Sequence, residues 1–435
     1  MPEQTLRVFL QQQLSTSPEV KRLVLGFSGG LDSTVLLQAL VNIAPEFQRP
    51  LLAVHVHHGL SPNADAWAEH VSALCERHQL PLHIHHVQVT ATASIEAAAR
   101  DARCAAFAQS LQAGDALLLA QHQDDQAETV LFRLLRGAGV RGLGAMHATS
   151  VFPGVFPLEA DVFIPCWRPF LSISRQALEH YARAQALQWI EDESNQDTRY
   201  ARNFLRQDII PRLQTQWPML TQTLAATARR LQEADSVLDE LAAEMAQACI
   251  DSRRRLFIPA FMALSPARQH LLLRYWLRQQ TLPLPSAVVL EKIKYEVIAA
   301  REDAAPCLMW SGCEIRRYRE HVYAMSPLTP APVSAQWQCE WDGKTALRLP
   351  DGKTLQIEAG YDVMAEQGFL VRYRRGGEHF RASEDSPSRE LKNIFQEEGV
   401  PPWERERMPL IFKGGGLIAV AGLEKYATGF SLKKI

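Results

Sequence analysis

The stretch LVLGFSGGLDSTVLLQAL, residues 23–40, decides the reading of the first half of this 435-residue chain. An apolar run breaks at Ser28, Gly29 and Gly30, places Asp32 two residues later, and turns apolar again at helical spacing. A strand that enters such a turn and leaves it as a helix makes an anion cradle. Glycines let backbone N–H groups approach without a Cβ in the way, and the helix start adds unpaired donors and the positive end of its dipole. Ser28 and Ser33 add hydroxyls on either side of Leu31. The loop is neither a G-x-x-x-x-G-K-[ST] phosphate loop nor a G-x-G-x-x-G dinucleotide turn. Asp32 is the informative residue: a carboxylate beside phosphates is repulsive unless a cation lies between them, which implies Mg²⁺.

Outward from this loop, residues 1–215 alternate strand and helix signals. Short apolar runs stand at RLVLGF (22–27), LLAVHVHHGL (51–60), LHIHHVQV (82–89) and ALLLAQH (116–122), with helical patterns at 34–44, 64–78 and 94–111 between them. The alternation predicts an α/β domain with a doubly wound parallel sheet, whose ligands bind beyond the carboxyl ends of the strands. Near Trp217 and Pro218 the texture changes. Apolar residues at 220, 224, 231, 238, 241 and 245 trace an amphipathic helix, and more helical text follows. Residues 216–325 therefore read as an all-helical second domain. SPLTPAPVSA (326–335) reads as a Pro-rich linker. Residues 336–435 read as a small α+β domain: an Asp-Gly hairpin in LRLPDGKTLQIEAG, a helix over 388–398 and a second hairpin in PLIFKGGGLIAVAG.

The totals exclude some classes. No early basic-then-apolar segment marks a signal peptide, and no apolar run approaches the roughly 18 residues that span a bilayer. Seven scattered Cys with no C-x-x-C fit free thiols in a reducing cytoplasm. A net charge of −2 does not announce a nucleic-acid binder, yet 36 of the 46 basic residues are Arg, whose guanidinium suits a two-point grip on phosphate.

Two further constellations carry chemistry. In AQHQDDQAETVLFRLLRGAGVRGL, His122 closes the fourth apolar run, and Asp125 and Glu128 fall at i and i+3 on one helix face. Two carboxylates there suit three tasks: holding an amine, sharing a metal, or taking a proton from a nucleophile. In IEDESNQDTRYARNFLR (190–206), Arg199, Arg202 and Arg206 share one side of a helix, with Asn203 beside them. The paired His residues at 55–58 and 83–86 lack a spaced partner motif, which argues against zinc.

The hexapeptide SGGLDS resembles the signature loop of the N-type ATP pyrophosphatases (the PP-loop superfamily). Together with HQDDQAET and DESN…RNFLR, it resembles the tRNA(Ile)-lysidine synthetase family. The resemblance extends to LKNIFQEEGVPPWERERMPLIF (391–412) and to the order of domains. It implies ATP and Mg²⁺ as cofactors, and as substrates free lysine and the minor isoleucine tRNA with a CAU anticodon. The C2 oxygen of the wobble cytidine would be adenylated and AMP then displaced by lysine. Residues 28–33 would hold pyrophosphate, with His57 and His58 near adenine or ribose. Asp32, Asp125 and Glu128 would be catalytic, and Arg100, Arg103 and His122 would join the two acids around lysine. Arg133, Arg136, Arg199, Arg202, Asn203, Arg206, Arg374 and Lys392 would grip tRNA. The family includes dimers, so a homodimer is an expectation.

The sequence departs from the family where Arg389, Glu390, Leu391, Lys392 and Asn393 replace a more basic run. It departs again where Gly377, Glu378, His379 and Phe380 stand for G-D-R-F. Both changes weaken a positive patch there. The rival readings are a tRNA thiolase of the same superfamily, which usually needs C-x-x-C pairs, and a nucleotide-dependent RNA-binding module, which would not need acids at 125 and 128.

Overall fold

The computed structural model describes residues 1–59, 61–88, 95–153, 163–301, 304–328, 337–357, 368–381, 387–427 and 430–433. The chain divides into two compact units, Met1–Leu238 and Asp239–Ile435.

In the first unit α1 (Pro2–Thr16) precedes β1 (Arg22–Gly26), α2 (Leu31–Phe47), β2 (Leu51–His57), α3 (Ala64–Arg77), β3 (Leu82–His86), α4 (Ile95–Ser110) and β4 (Asp115–Leu118). Then come α5 (Gln123–Leu134), α6 (Val140–Leu143), β5 (Thr149–Val151), β6 (Pro165–Trp167) and α7 (Arg175–Ala184). The sheet order is β3-β2-β1-β4-β6-β5, parallel except for the β5–β6 pair. Alternate residues of each strand feed two cores. Leu23, Leu25, Ala53 and Leu118 pack with Leu6 and Leu10 of α1, Leu36 and Leu40 of α2 and Leu178 of α7. Val24, Leu52, Val54 and Leu117 pack with Phe107 and Leu111 on the other face. The strand order reverses between β1 and β4, which opens a crevice at their carboxyl ends. The loops after both strands meet there.

A short helix α8 (Ala201–Phe204) runs into a π-helical turn (Leu205–Ile209) and α9 (Ile210–Gln216), and α10 (Leu220–Cys249) follows as one helix of 30 residues. The unit boundary falls inside α10.

In the second unit the end of α10 packs with α11 (Ile258–Met262), α12 (Pro266–Gln279), α13 (Ala287–Lys292) and a π-turn (Ile293–Ile298) around Trp276, Leu272 and Ile293. Here the expectation of an all-helical stretch needs correcting. Helical text ends at Ile298, and Cys307–Trp310, Cys313–Tyr318 and His321–Met325 form antiparallel strands joined to Leu256–Phe257. The antiparallel pairing of Cys313–Tyr318 with His321–Met325 and a turn with Arg319 at φ 52° make this a hairpin. The Pro-rich stretch 326–335 lies largely outside the described residues. Beyond it the expected Asp351-Gly352 hairpin pairs Leu347–Arg348 with Thr354–Ile357. Leu410–Lys413 pairs with Gly416–Val420 through Gly414 and Gly415, both at positive φ. The expected helix spans Leu391–Glu397.

Candidate active site

The loop after β1 has a geometry that suits an anion. Gly29 sits at φ +83°, and a Cβ there would stand 2.6 Å from Ile190 and 2.9 Å from Val71, so no larger residue fits without a shift. Its carbonyl accepts from the Ile190 amide at 2.9 Å and from the Thr34 hydroxyl at 3.2 Å. The Ser28 and Ser33 hydroxyls lie 3.0 Å apart, and Ser33 also donates to the Gly30 carbonyl. Helix α2 starts at Gly30 with no side-chain cap. Its first-turn amides are therefore free to meet a phosphate.

Asp32 lies in that first turn. Its Oδ2 accepts from Arg175 Nη1 at 3.1 Å and stands 3.6 Å from His122 Nε2. Its Oδ1 is buried and has no hydrogen-bond partner among the described residues. Burial pushes the carboxyl pKa up, but His122, Arg175 and Arg206 outweigh it and hold the group below its ordinary value. An ionised, buried carboxylate oxygen facing no donor, beside a bed of amides, fits Mg²⁺ chemistry.

His122 caps α5 from the end of the β4 loop. Its Nδ1 accepts from the Asp124 amide at 3.2 Å, while Asp125 Oδ2 accepts from the His122 amide at 3.0 Å, a reciprocal cap. That leaves Nε2 facing Asp32 and, at 3.4 Å, Asp125. Burial opposes charge on the ring, but Asp124, Asp32 and Asp125 together raise its pKa to about 10. With Nδ1 accepting and its proton on Nε2, His122 stands as a polar post among three acids, whose charge favours a second proton on the ring.

Glu128, one turn along, is 1% exposed. Arg206 grips it with two nitrogens, Nε to Oε1 at 2.6 Å and Nη2 to Oε2 at 3.0 Å, and the same Nη2 reaches Asp125 Oδ1 at 3.3 Å. Burial still raises the Glu128 pKa above the ordinary glutamate value despite this cation. Arg206 projects from the π-turn, an insertion that re-aims side chains and is frequent at functional sites. Arg206 is expected to grip tRNA; its guanidinium is engaged with the two acids.

The other expected residues divide. Arg100 and Arg103 are exposed on α4. Burial disfavours the charged form of His58, Arg103 nearby adds to this, and His58 Nδ1 is buried without a partner among the described residues. His57 Nε2 is 3.0 Å from Asp65, and its ring packs against His86. Arg133 is half-buried, and its Nη1 donates to the carbonyls of Gly142 and Ala145. Arg136 is exposed, over the Phe132 ring. Arg199 is 88% exposed and paired with Asp197. Arg202 reaches the Thr129 hydroxyl at 3.4 Å, and Asn203 donates to the Asp197 carbonyl.

In the second unit Lys392 is exposed. Arg374 stacks over Phe395 and lies 3.8 Å from Glu378. Glu378 itself, 7% exposed, accepts from the amides of Arg375 and Gly376 and from Arg372 Nη1 at 2.8 Å. Glu378 thus organises a turn and offsets two of its arginines.

Two site residues escaped the sequence reading. Arg175 and Asp124 lie 51 positions apart, and Asp124 Oδ2 accepts from the Arg175 amide at 2.8 Å. Asp124 had a signal, its place in a helix first turn beside Asp125. Arg175 had only a Ser174 cap before an amphipathic run, which marks a helix start and nothing more.

Comparison with known proteins settles the family. Residues 3–213 match the PP-loop domain, residues 256–323 the TilS substrate binding domain and residues 369–433 the TilS substrate C-terminal domain. The tRNA(Ile)-lysidine synthase of Shigella flexneri is 43% identical over 421 residues, 95% of this chain and 94% of that protein. The chain belongs to the tRNA(Ile)-lysidine synthase family. Its relative of the same name in Escherichia coli O157:H7 is 43% identical over 95% of this chain and 94% of its own length. The one in Xanthomonas campestris is 40% identical over 91% and 89%. Among solved structures, the U34-tRNA thiolase NcsA of Methanococcus maripaludis aligns with 49% of this chain and 72% of that one, at 19% identity and a TM-score of 0.38. The family is one of ATP-using ligases acting in tRNA modification, and the PP-loop domain carries the nucleotide chemistry. Among the described residues no helix is long and apolar enough to cross a membrane.

Proposed function

We propose that this chain joins free lysine to C2 of the wobble cytidine of the CAU-anticodon isoleucine tRNA, consuming ATP and releasing AMP and pyrophosphate. The observation that carries the reading is the convergence of the amide cradle, Asp32, and the Asp125–Glu128 pair at the β1–β4 crevice. The acids hold a cation there, Arg206. A site that binds a guanidinium between two carboxylates also suits an ammonium.

Residues 28–33 would receive the departing pyrophosphate through backbone amides and the two serine hydroxyls. Asp32 would hold Mg²⁺ through its buried oxygen. When bound, that ion offsets charge on the phosphates. His122 keeps Asp32 and Asp125 aimed by standing between them with its proton on Nε2.

Lysine arrives as an ammonium, and its attacking amine must lose a proton before it can displace AMP from the activated cytidine. Asp125 is committed to the helix cap through one oxygen, which suits it to holding the ammonium. Glu128 is the more deeply buried acid, and its pKa is raised, which suits it to taking the proton. Taking the proton neutralises Glu128, and Asp125 Oδ1 then remains as the anionic partner of Arg206.

The test is direct. Purified chain, ATP, Mg²⁺, unmodified tRNA and labelled lysine should give labelled tRNA with AMP and pyrophosphate in equal amounts. ADP as product would contradict the bond cleavage proposed. The thiolase alternative has no support in the thiols: the sequence carries no C-x-x-C pair, and burial raises the pKa of Cys75 to about 11.

A further inference from the structure

Arg175 opens α7 directly after Ser174, whose hydroxyl accepts from the Ala177 amide at 3.3 Å. Its own amide donates to Asp124 Oδ2. The start of α7 is therefore pinned to the first turn of α5, the turn that carries Asp125. From this fixed base the side chain crosses to the phosphate loop. Nη1 donates to Asp32 Oδ2 at 3.1 Å, and Nε donates to Glu179 Oε1 at 3.3 Å. The side chain is 39% exposed, so it borders both the carboxylate and the open crevice.

Asp32 thus divides its two oxygens. Oδ2 faces Arg175 and His122, and Oδ1 faces no donor among the described residues. A dication on Asp32 and a guanidinium on the same carboxylate repel each other across a few ångströms. Polyphosphate entering the amide cradle adds several anionic oxygens on the side of the crevice that Arg175 borders. A guanidinium matches such oxygens with two parallel N–H groups, and Glu179 can keep hold of Nε during the exchange.

From this geometry we infer that Arg175 is a phosphate-binding residue. In the free chain it neutralises Asp32; with nucleotide bound it leaves that carboxylate to Mg²⁺ and grips the pyrophosphate end of the polyphosphate. The inference rests on the reading of residues 28–33 and Asp32 given above.

Two binding measurements on the full chain test it. Mn²⁺ alone, followed by the electron spin resonance of the free ion, reports on Asp32. Inorganic pyrophosphate at saturating Mg²⁺, followed by calorimetry, reports on the phosphate grip. Arg175→Ala should bind Mn²⁺ more tightly than wild type, by about three- to tenfold, because a competing cation is gone. It should bind pyrophosphate at least about tenfold more weakly. Arg175→Lys, which keeps the charge and loses the fork, should fall between and guards against a folding defect in the alanine variant. Pyrophosphate affinity within twofold of wild type in Arg175→Ala overturns the inference. So does a parallel loss of both affinities, which would make Arg175 a brace for Asp32 and nothing else. If wild type binds neither probe, the reading of the loop itself falls, and the inference with it.

Discussion

Arg206 and Glu128, 78 positions apart in the chain, form a two-point ion pair in which the acid is almost wholly buried. The pair joins the π-turn after α8 to the first half of α5, and it sets both the stability of the site and its chemistry. Removing one partner of such a pair leaves an uncompensated buried charge. Because the Arg206 side chain is 37% exposed, solvent screening brings the loss below the usual ~3–5 kcal/mol. Arg206→Ala should lose about 2–3 kcal/mol in urea unfolding. A midpoint unchanged from wild type would mean that the pair contributes nothing to folding.

Glu128 as the proton acceptor makes lysine transfer depend on pH. Its carboxyl must be ionised to act, and burial sets its pKa above the ordinary glutamate value. The rate of lysine transfer should therefore fall as pH drops through that raised pKa. Glu128→Gln should slow transfer by roughly 10²–10⁴ and remove this acidic limb, while formation of the adenylated tRNA persists. If Asp125→Asn abolishes the acidic limb and Glu128→Gln keeps it, the two roles are reversed.

Asp32→Ala tests the metal argument. Adenylation, followed as pyrophosphate release in the absence of lysine, should drop by about 10²–10³ or more. A rate within a few-fold of wild type would show that no catalytic cation is held there.

Gly29→Ala places a Cβ against Ile190 and Val71 at a residue with φ +83°. The backbone strain alone is about 1–2 kcal/mol. ATP affinity should fall together with stability, since the same peptide groups form the cradle. Intact ATP binding in this variant would argue that the loop is not the phosphate site.

Glu378 offers a test of pH-dependent stability in the second unit. Burial opposes its charge, but the amides of Arg375 and Gly376 and the Arg372 guanidinium hold its pKa below the ordinary glutamate value. A depressed acid contributes stability that is fully present above its unfolded pKa, about 4.3, and is lost as pH falls through the folded value. Glu378→Gln should cost about 1–3 kcal/mol at neutral pH. The gap from wild type should close below pH ~4. A gap that is constant with pH would assign the loss to shape, not charge.

Much of this molecule could be read from its residues. Four of the five parallel strands fall where short apolar runs met turn signals, and β1 ends where Gly26 and the glycines after it end the run. The hairpins at Asp351-Gly352 and Gly414-Gly415 were legible because positive φ admits few residues. The strands at Cys307–Met325 were missed. Their segments are short, and helical neighbours supplied a continuing apolar pattern that does not distinguish a buried strand from a buried helix.

The residues by themselves determined the amide cradle, the acid beside it and the i, i+3 pair on α5, because each is a local pattern in which spacing along the chain sets spacing in space. Only the tertiary structure decided that Arg206 closes on Glu128, that Arg175 reaches Asp32, and that Arg133 is absorbed into a loop. Those partners lie in separate elements, brought together by the packing of α5, α7 and the π-turn around one end of the sheet. A guanidinium on a surface-like helix face carries no mark of which distant carboxylate will become its neighbour.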